Sequence, residues 1–194
     1  GLIDSADRVM TQWFREEGDE IILIGATRDD LGGSEYLKVV HAREQGSPPY
    51  LNLDTEQAVQ ACVLEAVRAG LVRSAHDCSD GGVAVALAEC CVSGPAEPRG
   101  AVVRLSRGRL RSDSLLFGES QSRVVVSATA SNRQAVLDCA ARHGVPAAVI
   151  GSVGGSSLVI HVGEETAPAK AVEVPVAVLA DRWGGSLERT LSQE

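Results

Sequence analysis

The chain has 194 residues, 44% of them hydrophobic, which is enough to bury a core and implies one globular domain with flanking pieces. A net charge of −8 excludes a broad basic face for nucleic acid, and aromatic residues at 3% exclude a stacking platform for bases. Any nucleotide held here is therefore gripped mainly through its phosphates and ribose. The five cysteines, Cys62, Cys78, Cys90, Cys91 and Cys139, are odd in number and lack a C-x-x-C spacing, so they fit neither a disulfide framework nor a zinc site and point to a reducing cytoplasm. The longest apolar run, residues 82–92, is too short to span a bilayer, and no basic-then-apolar signal opens the chain, so a soluble protein without a membrane partner is expected. The start at Gly1, running straight into polar sequence, fits a piece of a longer chain whose upstream residues hold the chemistry.

In chain order, residues 4–17 predict a polar helix stopped by Gly18, and EIILIG at 20–25 predicts a buried strand. Gly32 and Gly33 precede a predicted helix running to His41. Residues 53–70 form the clearest helix, capped by Asp54, with an apolar stripe of Val59, Cys62, Val63, Ala66 and Val67. A strand at 72–76 leads into the loop Asp77-Cys78-Ser79-Asp80-Gly81-Gly82 and a helix at 83–92 that is apolar nearly all round. Strands follow at 101–105 and 123–128. Residues 131–143 predict a helix with a Ser131/Gln134 capping box and Gly144 as its stop. Two strands, 147–153 and 157–162, meet at Gly154-Gly155, and 176–191 predicts a terminal helix broken at Gly184-Gly185 with Trp183 as its anchor. Strands and helices interleave without regular crossovers, which gives a layered α/β or α+β domain.

Three segments can carry chemistry. The turn HDCSDGG offers the free N–H groups of a helix start at Ser79, Gly81 and Gly82, while Asp77 and Asp80 would repel a phosphate unless Mg²⁺ lay between them. The same turn equally serves as a plain helix cap with glycines for close packing. In LFGESQSR, Glu119, Ser120 and Gln121 suit sugar hydroxyls or amides and Arg123 suits a phosphate, or the run is a solvated turn. Gly32, Gly33 and Ser34 allow backbone approach to an anion, or simply close a loop. Among the histidines only His76, beside the aspartates, is a functional candidate; Cys90 and Cys91 read as small buried hydrophobes.

Taken in order, EEGDEIILIG, LGGSEYL, LVRSAHDCSDGGVAVALAE, LFGESQSRVVVS and AAVIGSVGG resemble the last domain of the phosphoribosylformylglycinamidine synthases of the shorter bacterial type, over nearly the whole chain. The Gly81-Gly82 pair and the Gly-Gly-Ser-Glu-Tyr element are more similar to the second copy of that family's repeated domain pair than to the first. The resemblance implies a layered α/β/α (α+β) domain, partly ferredoxin-like. That fold is shared with the C-terminal domains of aminoimidazole ribonucleotide synthase, selenophosphate synthetase, thiamine monophosphate kinase and a hydrogenase maturation protein. Residues 1–18 would be a linker helix, 19–165 the domain and 166–194 a helical tail packed on it.

The resemblance also implies an ATP-dependent ligase of purine biosynthesis. ATP, formylglycinamide ribonucleotide and glutamine-derived ammonia give the amidine, ADP and phosphate, with Mg²⁺ offsetting the phosphate charge. By match, Asp77 corresponds to a magnesium-holding aspartate, and Glu119, Ser120 and Gln121 to a run that contacts the ribonucleotide. The family's catalytic histidine lies upstream, so this chain supplies no catalytic residue and is expected to be inactive alone. This copy belongs to a pseudo-symmetric partner site that holds a structural nucleotide in longer relatives; the matching residues serve either that nucleotide or packing. The implied partners are the upstream domains of the same enzyme, a glutaminase and small accessory subunits, all cytoplasmic. Two alternatives stay open: a non-catalytic structural or nucleotide-holding module, and a domain of another ATP-using enzyme on the same fold, of the selenophosphate synthetase or thiamine monophosphate kinase type.

Overall fold

In the computed structural model, which describes residues 9–95, 97–164 and 168–192, strand β1 (Glu20–Ile24) runs through the middle of a seven-stranded sheet. Its alternation decides the layering. Ile21 faces one core and Ile22 and Ile24 face another, all three fully buried. The other strands are β2 (Ser74–Asp77), β3 (Ala101–Leu105), β4 (Val124–Ala128), β5 (Ala147–Val153), β6 (Ser157–Val162) and β7 (Ala169–Pro175), in the order β2-β4-β1-β5-β3-β6-β7. All pairs are antiparallel except β3 with β6.

Helices cover both faces. On the Ile22 side lie α2 (Leu53–Arg68) and α5 (Arg133–Arg142), which bury Val59, Cys62 and Ala66 against Val136, Cys139 and Ala140. On the Ile21 side lie α3 (Gly82–Val92), α4 (Ser112–Phe117) and α6 (Val176–Gly184), with Val83, Leu87, Leu115, Leu116 and Val176 buried. The short α1 (Glu35–His41) buries no residue, and α7 (Ser186–Leu191) ends the described chain. The layered α/β/α arrangement expected from the sequence is the one present. No helix among the described residues is long and apolar enough to cross a membrane.

Several local expectations are corrected. Residues 4–8 of the expected first helix and the boundary at 165/166 lie outside the described residues. Residues 9–17 are not helical: Phe14 is buried as an irregular segment crosses α3, with its N–H on the Cys90 carbonyl at 2.8 Å. The cap of α2 is Asn52, whose Oδ1 accepts from Thr55 N–H at 2.9 Å; Asp54 lies inside the first turn. The Ser131/Gln134 box does not form. Thr129 Oγ1 accepts from Asn132 N–H instead, and Gln134 turns along its helix to Asp138. Trp183 is 48% exposed, so the anchor of the terminal helix is Val176. The stretch expected as a helical tail begins with β7, an edge strand whose outward Lys170 and Glu173 hide its alternation.

Candidate functional site

The end of β2 and the start of β4 pair as Asp77 with Val124, which brings the loops 78–81 and 118–123 side by side. Cys78 N–H ties them by donating to the Arg123 carbonyl at 2.9 Å. Between these loops and α2 lies a cleft of about 770 Å³. One wall is apolar, made by Met10, Val63, Leu64 and Val67. The rest of the lining is acidic, with Glu56, Asp77, Asp80 and Glu119, and adds Ser79 and Gln121. Such a half-apolar, half-polar concavity suits a small molecule with an uncharged body and a charged tail.

The two candidate anion cradles are answered from within the protein. One oxygen of Glu119 accepts from Glu35 N–H at 2.8 Å, at the start of α1, and from Gly81 N–H at 2.9 Å, at the start of α3. A carboxylate thus occupies the place a phosphate oxygen would take at these helix starts. Ser34 is 2% exposed and caps α1, its hydroxyl donating to the Leu31 carbonyl at 2.7 Å. Gly32 packs on the 46–47 turn, and Gly33 and Ser34 line a separate recess. Gly82 is held at φ +67°, where an added Cβ would lie 2.5 Å from the Gly118 carbonyl oxygen. Gly32 and Gly82 serve close approach between segments.

Arg123 is also engaged internally. At 2% exposure its guanidinium donates to the carbonyls of Ser120 (2.9 Å) and Gly118 (2.6 Å) and to the Thr27 hydroxyl (3.1 Å). Burial lowers its pKa from the usual arginine value. In this arrangement it clamps the 118–123 loop. Ser120, 1% exposed, accepts from Arg28 N–H at 2.9 Å. Tyr36 of α1 stacks on Phe117 at the end of α4, with centroids 4.7 Å apart, so the loop is braced from both sides.

The groups left facing the cleft are Asp77, Ser79, Asp80 and Gln121. The Asp77 side chain is 72% exposed. The Ser79 hydroxyl donates to its carboxylate, and this bond, with His76 beside it, holds Asp77 below the ordinary carboxylate value. His76 sits between acids, its Nε2 at 2.8 Å from Glu89 and its Nδ1 at 3.5 Å from Asp77. Asp77 and Asp80 offer oxygen donors only, the class that suits Mg²⁺ when phosphate and water complete the shell. They fit such an ion, though they do not form a ligand cluster by themselves. Ser122 stands at the rim in the left-handed region, φ 61°, and its hydroxyl donates to Glu56 at 2.5 Å.

The sequence reading missed the α2 wall. Val63 and Val67 pack against the core as the stripe predicts and also line the cleft, and the available signal is a stripe wider than one buried face requires: Val59, Cys62 and Ala66 fill the core, while Val63 and Val67 remain half-exposed and Leu64 is 47% exposed.

A family model for "AIR synthase related protein, C-terminal domain" matches residues 16–163. The phosphoribosylformylglycinamidine synthase subunit PurL of Anaeromyxobacter sp. (strain K) is 41% identical over 201 residues, an alignment covering 100% of this chain and 25% of that protein. The chain thus spans about a quarter of the length of the curated relatives it matches. T. maritima PurL complexed with FGAR superposes with a TM-score of 0.76 at 26% identity, covering 90% of this chain and 30% of that one. T. maritima PurL complexed with ATP gives 0.67 at 25% identity, covering 90% and 28%.

Proposed function

This chain belongs to the AIR synthase related protein family as its C-terminal domain, and from that premise we propose that it works as the closing domain of a phosphoribosylformylglycinamidine synthase. That enzyme is an ATP-dependent C–N ligase. It converts formylglycinamide ribonucleotide and glutamine-derived ammonia to the amidine, with upstream domains, a glutaminase and small accessory subunits as partners, in the cytoplasm. The observation that carries the reading is a 41% identity running across the whole of this chain to a subunit of that name.

The domain's own part is to build one wall of a ligand site and hold it rigid. The apolar side made by Val63, Leu64 and Val67 suits the uncharged body of a nucleotide such as ATP or ADP, and Gln121 suits a ribose hydroxyl or an amide. Asp77 and Asp80 would hold Mg²⁺, which supplies the positive charge that lets a polyphosphate enter an acidic cleft. Glu119, Ser120 and Arg123 support this arrangement by fixing the loop. No general acid, base or nucleophile for the ligation is assigned to this chain. The catalytic histidine of the resembling family belongs to upstream sequence.

The test is reconstitution. Removing this domain from the intact enzyme should abolish amidine formation, and adding the purified chain back should restore it. Undiminished turnover without the domain would overturn the reading.

A further inference from the structure

On the side of α2 turned toward α5, a Glu65 carboxylate oxygen, the Cys139 sulfur and a His143 ring nitrogen all lie within 4.8 Å of one another. Cys62 lies beside them, its backbone carbonyl accepting from the Cys139 thiol at 3.7 Å. The four side chains come as two pairs. Cys62 and Glu65 are three apart on α2, and Cys139 and His143 are four apart from the body of α5 to its cap, so each pair shares one helix face. The α2–α5 contact brings the two faces together. Paired helical donors meeting across a helix–helix contact are how metal sites are built between packed helices.

We propose that Cys62, Glu65, Cys139 and His143 form a site for one zinc-type divalent cation. Two sulfurs, one imidazole nitrogen and one carboxylate oxygen make a closed four-donor set of the kind that zinc takes tetrahedrally, whereas Mg²⁺ or Ca²⁺ would require oxygens throughout. Bonds of about 2.0–2.3 Å place tetrahedral donors roughly 3.3–3.8 Å apart, so the Glu65, Cys139 and His143 donors, within 4.8 Å of one another, need to contract by only about an ångström.

The surrounding bonds fit this role. Arg142 bonds Glu65 Oε1 at 2.5 Å and His143 Nε2 meets Oε2 at 2.8 Å. Oε2 and the imidazole turn to the ion together while Arg142 keeps Oε1 and orients the carboxylate. Two thiolates and Glu65 against Arg142 leave a charge that one divalent ion cancels. Both thiols release their protons to solvent on binding. The site lies outside the nucleotide cleft and does not depend on the function proposed above.

Cobalt(II) titrated into the purified, reduced protein tests it. The expected result is one equivalent bound, with a thiolate-to-cobalt charge-transfer band in the near ultraviolet, visible bands of tetrahedral intensity, and displacement by zinc. Cys139→Ser and His143→Gln should weaken binding by about tenfold or more, and Cys91→Ser, in the opposite core, should leave it unchanged. His143 is partly exposed, so its variant keeps the fold, checked by circular dichroism, even where Cys139→Ser does not. No charge-transfer band in the reduced protein, or a band that His143→Gln leaves intact, overturns the proposal.

Discussion

Glu119 lies just past the end of α4, yet one of its oxygens holds the starts of both α1 and α3. A buried N–H left without its acceptor costs more than the bond is worth when made, and bonds to a charged group contribute about 1.5–3 kcal/mol. Glu119→Ala should therefore lower the stability measured by urea denaturation by roughly 2–4 kcal/mol, with Glu119→Gln retaining part of it because its carbonyl oxygen still accepts. If Glu119 instead served a ligand directly, the Ala variant would denature like the parent and lose only binding. The residue type was legible in the sequence, and so was the acidic character of the segment. The partners were not, because Glu35 and Gly81 lie 84 and 38 residues away in the chain. Arg123 is no more legible: a lone arginine after a polar turn has the same local pattern whether it meets a phosphate or two carbonyls of its own loop and the Thr27 hydroxyl.

At the scale of elements, the strand–turn–helix unit of β2 and α3 was legible because a buried helix needs an apolar sequence on every side and its turn needs glycines. What each glycine does was not legible. Gly82 and Gly70 share φ +67°, but a Cβ at Gly82 would strike the Gly118 carbonyl at 2.5 Å while a Cβ at Gly70 meets nothing within 4 Å. Gly70→Ala should cost about 1 kcal/mol from the left-handed backbone alone, and Gly82→Ala about 2 kcal/mol or more beyond that because backbone must move. Equal losses in thermal denaturation would contradict the close-approach role. The α4 helix and β7 escaped the sequence reading for opposite reasons. α4 has only six residues, too few to show a period, and β7 is an edge strand whose outward charges mask Val172 and Val174.

At the scale of the molecule, the sheet separates two cores that share its central strands: Ile21 and Val125 point to one, Ile22 and Val126 to the other. The five cysteines divide between them, Cys78, Cys90 and Cys91 on one side and Cys62 and Cys139 on the other, all buried and free. Burial pushes the thiols up, Cys78 to about 11 and Cys62 and Cys91 to about 12, so none is a reactive nucleophile in the folded protein. Because strands β1 and β4 belong to both cores, the two should melt together. In the metal-free protein, thiol labelling across a urea series should show one shared midpoint for both sets, and separate midpoints would show two independently stable layers. The sequence by itself determined the buried strands at 20–25 and 123–128, the buried helix between its glycine turns, the layered class and, through ordered motifs, the family; these rest on periodicity and short-range order, which a linear chain displays. Only the tertiary structure decided that Glu119 fills the helix starts, that Arg123 is spent inside its loop, that α2 turns a second apolar face to the cleft and that Cys62 meets Cys139. Most of those depend on contacts between residues far apart in the chain, and which of several chemically equivalent partners a side chain meets is decided by packing.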